Sequence, residues 1–474
     1  MDILLTHGYF IEEDAGEQKI MKPYPPLGIL YISAFLDTQN LENEVFDTTF
    51  SSKKTFFEFL LKNKPNYIGI YTNLVTKINV IEIIAFVKNE ISLKNTKIIV
   101  GGPDTRYNAE NLLKYNADFV VVGEGETTFF ELISLLKTQE NNTNAYQNED
   151  FSQKLNEIQG IAFLENEKVI LTAERPKIKE IDLLPFPNRH KISFDNYLNK
   201  WKEFHGYSAM TISTMRGCPY TCKWCSRAVY GVSYRRRSAK NVVEELKQIL
   251  QKYQPDMFWF VDDVFTVSFK WLEEFVKELD NQNVTIKYEC ITRADRMNEN
   301  VIDLLKKSGC FRVWIGAESG SQKVIDLMDR RVQVTQVRDM IQLAQKQGIQ
   351  AGTFIMLGYP NETETDILET VEHLKSSNPD LFTITIAYPI KGTELYEEVE
   401  AKSNVTTLDW AQSTDRQIDF TRTYTRSYYA HAVKYVQNEV YFHQLLQKKG
   451  HFSKRGLKLK IRSIYHRWQM HLKK

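Results

Sequence analysis

Three of the five cysteines in this 474-residue chain lie within one short segment, Arg216-Gly217-Cys218-Pro219-Tyr220-Thr221-Cys222-Lys223-Trp224-Cys225. Iron–sulfur clusters are held by cysteine thiolates, normally four, so three ligands would leave one iron open for catalysis. Arg216 could compensate the negative charge of such a cluster. The alternatives are a zinc site, which would need a fourth ligand, and three inert core thiols. The spacing predicts a catalytic iron–sulfur site.

The first 140 residues alternate short apolar runs with amphipathic stretches. The expected strands are Ile3–Thr6, Glu44–Asp47, Tyr67–Tyr71, Lys97–Val100 and Phe119–Val122. Apolar strands that alternate with helices are typical of a parallel sheet covered on both faces. We therefore predict an α/β, doubly wound, Rossmann-like domain over residues 1–140, with its ligand beyond the carboxyl ends of the strands.

A linker with a β-hairpin is predicted over residues 141–205. Gln139–Lys154 is rich in Asn and Gln, which is typical of a connection. The two arms of the expected hairpin are Ile161–Leu164 and Val169–Thr172.

Strand–helix alternation resumes at about Ala209 and predicts a partial (β/α)6 TIM-like barrel over residues 206–400. Its expected strands are Ala209–Met215, Met257–Val261, Thr285–Cys290, Phe311–Ile315, Gln350–Met356 and Leu381–Ile386. In such barrels the chemistry lies at the carboxyl ends of the strands. The cysteine segment follows the first of these strands directly. Residues 401–474 are expected to be helical and basic.

The composition indicates a globular protein of more than one domain, with 42% hydrophobic and 12% aromatic residues. Lys and Arg total 61 and Asp and Glu total 60, so net charge predicts no polyanionic partner. The first residues lack the basic and apolar regions of a signal peptide. Because no apolar run is long enough to span a bilayer, we expect a cytoplasmic protein without an integral membrane segment.

Over about residues 205–400 the chain resembles the radical S-adenosylmethionine (SAM) superfamily. That family has a Cys-x3-Cys-x-aromatic-Cys loop, which is matched by Cys218, Cys222, Trp224 and Cys225. The resemblance implies a 4Fe–4S cluster whose open iron binds the amino and carboxylate groups of SAM. It also implies that the cluster cleaves SAM reductively to a 5′-deoxyadenosyl radical, which abstracts hydrogen from the substrate. Trp224 is expected near the adenine.

The resemblance also assigns an expected SAM contact to the end of the second barrel strand. Asp262 and Asp263 stand where relatives hold the SAM amino group, although the usual Gly-Gly-Glu is absent. A carboxylate pair suits an ammonium group. The alternative is that these residues cap the helix that begins near Ser268.

Three further segments resemble SAM contacts of the family. Glu318 and Ser319 match the segment that reaches the ribose or methionine part, although Glu318 could also be a surface acid. Arg330 resembles the residue that pairs with the SAM carboxylate, and the adjacent Arg331 leaves that choice open. Gly358 lies in a segment that resembles the lining of the adenine site, or belongs only to a turn.

Residues 1–140 resemble the cobalamin-binding domain that precedes the barrel in one radical SAM subgroup. The matching segments are Pro25-Pro26-Leu27-Gly28, Gly101-Gly102-Pro103-Asp104 and Gly123-Glu124-Gly125-Glu126. Glycines at strand ends let a ligand approach the backbone closely. The residues expected to contact cobalamin are Pro26, Gly28, Thr72, Asn73, Gly101, Gly102, Gly123, Glu124 and Gly125.

The N-terminal domain departs from the usual cobalamin pattern because no Asp-x-His-x-x-Gly segment supplies a lower axial histidine. His7 follows the first strand, but a lone histidine there is more often a polar contact than a cobalt ligand. Cobalamin bound without a histidine below the metal, with Thr72 and Asn73 facing its lower side, is the expectation. A scaffold that has lost the cofactor is the alternative.

The segment Gly456–Trp468 spaces apolar residues around a basic helix. Such a helix can lie on an anionic membrane surface. Packing on its own protein and an anionic partner such as RNA are the other interpretations.

Together these resemblances imply a cobalamin-dependent radical SAM enzyme, most directly a methyltransferase that acts on an unactivated carbon. A cyclase, an oxidase or another radical rearrangement enzyme is the second hypothesis, and an iron–sulfur electron carrier or sensor is the non-enzymatic one. The expected partners are a small-molecule, lipid or peptide substrate and an external electron donor of the flavodoxin or ferredoxin type. Nucleic acid is the partner least expected.

Overall fold

The computed structural model describes residues 1–139, 149–402, 409–449 and 453–474. Residues 141–148 of the predicted linker therefore lie outside the described residues.

The N-terminal part of the chain forms a seven-stranded sheet covered by helices. Its strands are β1 Ile3–His7, β2 Asn43–Phe46, β3 Tyr67–Tyr71, β4 Lys97–Gly101, β5 Phe119–Val121, β6 Ile161–Glu165 and β7 Lys168–Leu171. Its helices are α1 Ala15–Ile20, α2 Leu27–Thr38, α3 Lys53–Asn63, α4 Lys77–Asn89, α5 Thr105–Lys114, α6 Gly125–Gln139 and α7 Glu149–Glu157.

The strand order is β2-β1-β3-β4-β5-β6-β7, and the first five strands are parallel. Ile98 belongs to a buried cluster that also contains residues of α3, α4 and α5, whereas Ile99 belongs to one that contains residues of α2 and α6. Because neighbouring strand residues point to opposite faces, helices cover both faces of the sheet. The predicted doubly wound fold is confirmed. In this topology ligands bind at the switch point between β1 and β3.

The predicted hairpin is present, and it extends the N-terminal sheet. β6 pairs antiparallel with β5, with Val120 opposite Ala162, and β7 pairs antiparallel with β6. The predicted domain boundaries remain predictions, but the hairpin is physically part of the first sheet.

The second part of the chain is an open barrel of six parallel strands, as predicted. Its strands, in the order β15-β14-β13-β12-β11-β8, are β8 Ala209–Ile212, β11 Met257–Phe260, β12 Tyr288–Thr292, β13 Cys310–Glu318, β14 Gln350–Leu357 and β15 Leu381–Ile386. A separate antiparallel ribbon is formed by β9 Met215–Arg216 and β10 Arg235–Arg236. The first predicted barrel strand, Ala209–Met215, is therefore divided, because its end turns into this ribbon.

Helices surround the barrel and form the C-terminal region. They are α8 Phe194–His205, α9 Ala239–Tyr253, α10 Phe269–Asn281, α11 Glu299–Lys307, α12 Gln322–Leu327, α13 Val334–Lys346, α14 Glu364–Ser377, α15 Glu394–Lys402, α16 Arg426–Lys449 and α17 Lys454–Leu472. Each of the long barrel helices buries an apolar stripe. In the described ranges, no helix combines the length and the apolar character that crossing a bilayer requires.

A buried ion pair network fastens the connecting segment to the barrel. Glu245 in α9 accepts hydrogen bonds from Arg189 and Arg237, and Arg189 also donates to the Thr211 carbonyl at 3.3 Å. Burial alone would raise the pKa of Glu245, but the two guanidinium groups hold it below its usual range.

Replacing Glu245 with glutamine should destabilise the fold strongly, because two buried arginines would lose their counter-charge. We expect the free energy of unfolding to fall by about 3–5 kcal/mol in Glu245→Gln. Chemical denaturation of the protein as purified measures this. The neighbouring Glu244 is exposed, so Glu244→Gln should change the free energy by no more than about 0.5 kcal/mol. Equal effects of the two substitutions would contradict the network's role.

Candidate active site

The cysteine loop leaves strand β9 through a turn that only glycine can make. Gly217 has φ +86°, and a Cβ there would lie 2.6 Å from the Ser233 carbonyl oxygen. Farther along the loop, the Lys223 backbone bonds to Met328 at 3.2 Å and to Leu395 at 2.9 Å. The loop is thus held from both sides of the barrel mouth.

The three loop cysteines differ in exposure and in charge environment. Cys222 is buried, Cys218 is half-buried and Cys225 is exposed. A hydrogen bond with Cys225, together with Arg330 and Arg293, lowers the pKa of Cys222 to about 6, although burial opposes this shift. The same hydrogen bond raises the pKa of Cys225 well above its ordinary value. The surroundings of Cys222 therefore favour the thiolate, which is the form that binds iron.

Three cysteine sulfurs in one loop are the kind of donor that an iron–sulfur cluster takes. Among the described residues, no three His, Cys, Asp or Glu side chains are gathered around one point in the way a single metal ion requires. All five cysteines are free thiols, and two cationic side chains approach the loop.

Of the two adjacent arginines, the structure directs Arg330 into the barrel. Its guanidinium lies 3.9 Å from the Cys222 sulfur, 2.7 Å from the Gly316 carbonyl oxygen and 3.5 Å from a Glu318 carboxylate oxygen. Its Nε atom is buried without a hydrogen-bond partner in the described structure. The Arg331 side chain is 71% exposed and pairs with Asp329. Arg330 is thus positioned to receive an anionic ligand.

Glu318 lies beside Arg330 in an unusual backbone conformation. Its φ is +64°, and the pairing of β13 with β14 shifts between Gly316 and Glu318. Gly316 makes room for this arrangement, because a Cβ there would lie 2.2 Å from Arg330 Nη2. Burial raises the pKa of Glu318, with Arg330 opposing. Strained residues of this kind cluster at functional sites.

The two adjacent aspartates at the end of β11 have different surroundings. Asp262 is buried and accepts hydrogen bonds from the backbone N–H groups of Thr214 and Met215, at 2.7 and 3.2 Å. It also accepts a bond from the Thr214 hydroxyl. Asp263 is exposed and borders the cavity described below. Asp262 therefore fixes the backbone that leads to the cysteine loop, whereas the carboxylate of Asp263 is exposed at the cavity.

Three other predicted SAM contacts lie around the same end of the barrel. The Ser319 side chain is buried and bonds to Thr370 and to the Ser321 backbone, so it stabilises a turn. Gly358 has φ +82° and donates its N–H to Glu362 at 2.6 Å. Trp224 packs beside a buried apolar cluster, with the Arg330 guanidinium 5.6 Å from its ring.

A cavity of about 620 Å³ lies between the N-terminal sheet and the barrel. Residues that follow β1, β3, β4 and β5 border it on one side, and residues that follow β8 and β11 border it on the other. Cys218 and Asp263 are among the barrel residues at its wall. The carboxyl ends of both sheets therefore open into one shared space.

The N-terminal residues predicted to bind a cofactor are mostly at this cavity. Its lining includes Pro26, Gly28, Asn73, Gly101, Gly102, Gly123, Glu124 and Gly125. Gly102 has φ +118°, and a Cβ there would lie 2.3 Å from the Thr72 carbonyl oxygen. Thr72 itself is fully buried behind the wall, with its hydroxyl unpartnered among the described residues. The Asn73 side chain accepts bonds from the backbone of Val75 and Thr76.

Arg216 does not have the partner expected of it. Its guanidinium bonds to Glu124 at 2.8 Å and to Glu126, both across the boundary in the N-terminal part. Glu124 also accepts bonds from Arg235 at 2.7 Å and from the Ile178 backbone at 2.9 Å. The interpretation of Arg216 as the cation that compensates the cluster is therefore wrong, because the two glutamates attract it to the interface. The expected corrin contact of Glu124 stays a prediction.

Sequence reasoning missed Arg293 and the arginines of β10. Arg293 donates to the Cys222 sulfur at 3.5 Å and to the Arg330 carbonyl oxygen at 2.6 Å, so it supplies the positive charge expected of Arg216. Arg235 contacts the N-terminal part and Arg236 contacts the barrel. Arg237, which follows β10, contacts α9. A run of three arginines ordinarily indicates a solvated surface. Only the position of this run just after the cysteine loop could have suggested that its side chains make contacts inside the protein.

His7 has the polar contacts expected of a lone histidine. Its Nε2 atom lies 2.9 Å from an Asp47 carboxylate oxygen, and its Nδ1 atom accepts the Tyr9 backbone N–H at 3.1 Å.

Comparisons with known proteins match both halves of this arrangement. The family described as the Radical SAM superfamily matches residues 212–374, and the B12 binding domain matches residues 18–133. An uncharacterized methyltransferase of Pyrococcus horikoshii is 28% identical over 410 residues, which cover 85% of this chain and 84% of that protein. The anaerobic magnesium-protoporphyrin IX monomethyl ester cyclase of Cereibacter sphaeroides is 24% identical over 414 residues, which cover 85% of this chain and 64% of the cyclase.

A solved structure shares the fold of nearly the whole chain. It is that of OxsB, a cobalamin-dependent S-adenosylmethionine radical enzyme with aqua-cobalamin and S-adenosylmethionine bound. The TM-score is 0.73 at 17% identity, over 99% of this chain and 72% of OxsB.

The two aspartates should respond differently to the same substitution. Asp262→Asn would place an amide N–H₂ against backbone donors, so we expect the free energy of unfolding to fall by roughly 2–3 kcal/mol and the iron content after reconstitution to fall with it. Asp263→Asn should leave the free energy of unfolding and the iron content unchanged, and it should weaken SAM binding, as measured by equilibrium dialysis. If Asp262→Asn is as stable as the parent protein, the anchoring role of Asp262 is wrong.

Proposed function

We propose that this chain, which matches the Radical SAM superfamily over residues 212–374 and the B12 binding domain over residues 18–133, is a cobalamin-dependent methyltransferase that acts on an unactivated carbon. The observation that carries this proposal is the shared cavity. It joins the glycine-lined strand ends of the N-terminal sheet to the strand ends of the barrel beside Cys218. Two cofactors that must act on one substrate need such a space.

Cys218, Cys222 and Cys225 would hold the cluster, and the glycines at the ends of β4 and β5 would admit the corrin. When bound, the 4Fe–4S cluster supplies the electron that cleaves SAM, and cobalamin supplies a transferable methyl group. The remaining work belongs to the protein, which orients the reacting groups and excludes water.

Arg330 and Asp263 are suited to the two charged ends of SAM. Arg330 has a buried, partly unpartnered guanidinium beside Cys222, which is where a carboxylate would be neutralised. Asp263 offers a free carboxylate at the cavity wall for an ammonium group. Charge-assisted bonds of this kind are about twice as strong as neutral ones. They would therefore set the position of SAM relative to the open iron.

The substrate we propose is a small molecule, lipid or peptide that enters the shared cavity. An external donor of the flavodoxin or ferredoxin type would supply the electron. A reducing cytoplasm is the compartment that suits an oxygen-labile cluster and five free thiols.

A radical cyclase is the second candidate, and the similarity to the magnesium-protoporphyrin ester cyclase over 414 residues favours it. Product mass separates the two, because methylation adds one CH₂ unit to the substrate and cyclisation does not.

The proposed chemistry predicts two products from the reconstituted protein supplied with reductant, SAM and methylcobalamin. We expect 5′-deoxyadenosine, and a methylated product once a substrate from the classes above is supplied, both detected by mass spectrometry. Replacing Cys218, Cys222 and Cys225 with alanine should abolish both. 5′-Deoxyadenosine formed at an undiminished rate by the triple variant would contradict the proposal.

The pair Arg330 and Arg331 gives a matched test of the SAM site. Arg330→Gln removes a charged hydrogen-bond donor, so the Kd for SAM should rise by roughly ten- to a hundredfold. Arg331→Gln changes an exposed residue and should leave the Kd unchanged. Iron content is measured on both variants. If Arg330→Gln binds a full cluster and its Kd for SAM is unchanged, the SAM carboxylate does not bind at Arg330.

A further inference from the structure

The C-terminal helix α17 uses only a narrow face to pack on the protein. Gly456, Ser463 and Met470 are its buried residues. Ser463 donates to Glu439 of α16, and Lys460 Nζ lies 2.7 Å from the same carboxylate. This packing agrees with one interpretation of the basic segment, namely that it packs on its own protein. It leaves the opposite side of the helix exposed.

The exposed side of α17 is apolar. Six large residues share it, each between 50% and 60% exposed: Leu457, Ile461, Ile464, Tyr465, Trp468 and Leu472. They follow one another at intervals that repeat the helical period, so they form one continuous stripe, here called the apolar stripe. An exposed apolar patch of this length, as opposed to scattered single residues, marks an interaction surface.

Basic residues flank the apolar stripe. The segment 454–474 contains eight Lys or Arg residues and no Asp or Glu. Across the ranges that the structure describes, Lys454, Arg455, Lys458 and Arg462 form no ion pair. The flanks of the stripe are therefore free to attract a negatively charged partner.

The stripe and its flanks together suit a lipid surface. A helix with an apolar face, Lys and Arg beside it, and Trp among the apolar residues lies in the plane of a membrane interface. Trp and Tyr favour the headgroup level, where one side of the ring is apolar and the other is wet. RNA would pair with the cations but would leave the six apolar side chains in water.

We propose that α17 docks the protein on the surface of an anionic lipid bilayer. The apolar stripe enters the boundary between headgroups and acyl chains, and the flanking cations contact the anionic headgroups. This inference goes beyond the proposed methyl transfer and does not depend on it.

The carboxyl-terminal end of α17 lies near the catalytic end of the barrel. The Thr425 hydroxyl bonds to the Lys473 carbonyl oxygen at 2.8 Å, and Lys474 pairs with Glu364. Glu364 is the first residue of α14, which follows the loop at the carboxyl end of β14.

Flotation of the full chain with vesicles tests the proposal. We expect the protein to float with vesicles of phosphatidylcholine and phosphatidylglycerol, not with phosphatidylcholine alone, and to be released by added salt. The double variant Ile464→Glu/Trp468→Glu and the charge variant Lys458→Glu/Arg462→Glu should each lower the bound fraction by about tenfold or more.

The control is Ile91→Glu, which changes another apolar residue that is 82% exposed and lies outside α17. It should bind vesicles like the parent protein. All variants should retain the parent circular dichroism spectrum and the parent rate of SAM cleavage. Vesicle binding that the stripe variants leave unchanged would overturn the proposal. So would parent protein that fails to float, or a dimer that the stripe variants dissociate.

Discussion

A buried ion cluster joins the two halves of the molecule at the base of the cysteine loop. Arg216, directly before the cysteine loop, pairs with Glu124 and Glu126 at the start of α6, and Arg235 pairs with Glu124 as well. Taking these charges out of water costs several kcal/mol per ion, so the cluster is weak evidence for stability. The cluster instead favours one orientation of the two halves, because any other docking of the barrel would leave these buried charges unpaired, which costs free energy. The carboxyl ends of both sheets are thereby held against one cavity.

That orientation divides the basic residues near the loop into two groups. Arg216 and Arg235 serve the interface, whereas Arg293 and Arg330 lie beside Cys222 and keep its pKa low. A thiolate-bound cluster and the carboxylate of SAM are both negative, and both would lie beside Arg293 and Arg330. Asp262 adds a mechanical link, because its carboxylate holds the backbone between β8 and the loop. Under the proposed function, cofactor binding and domain docking would thus involve neighbouring residues but separate charges.

Much of the fold could be predicted from the sequence because most of its strands appear as short apolar runs between helix-like segments. Tyr67–Tyr71 and Leu381–Ile386 were located to the residue. The partners of charged residues could not be predicted in this way. Arg216 and Glu124 are 92 positions apart, so only the docking of the two halves brings them together. In the same way the sequence could not show that Asp262 bonds to Thr214, 48 positions away, or that Ser319 bonds to Thr370, 51 positions away.

The central claim is that one cavity serves both cofactors. Anomalous X-ray diffraction from crystals of the reconstituted protein, recorded at the cobalt and iron absorption edges, tests it most directly. We predict an iron peak at Cys218, Cys222 and Cys225 and a cobalt peak inside the cavity, between the strand ends of the two sheets. A cobalt peak outside this cavity, or a filled iron site with no ordered cobalt at saturating cobalamin, would contradict the account.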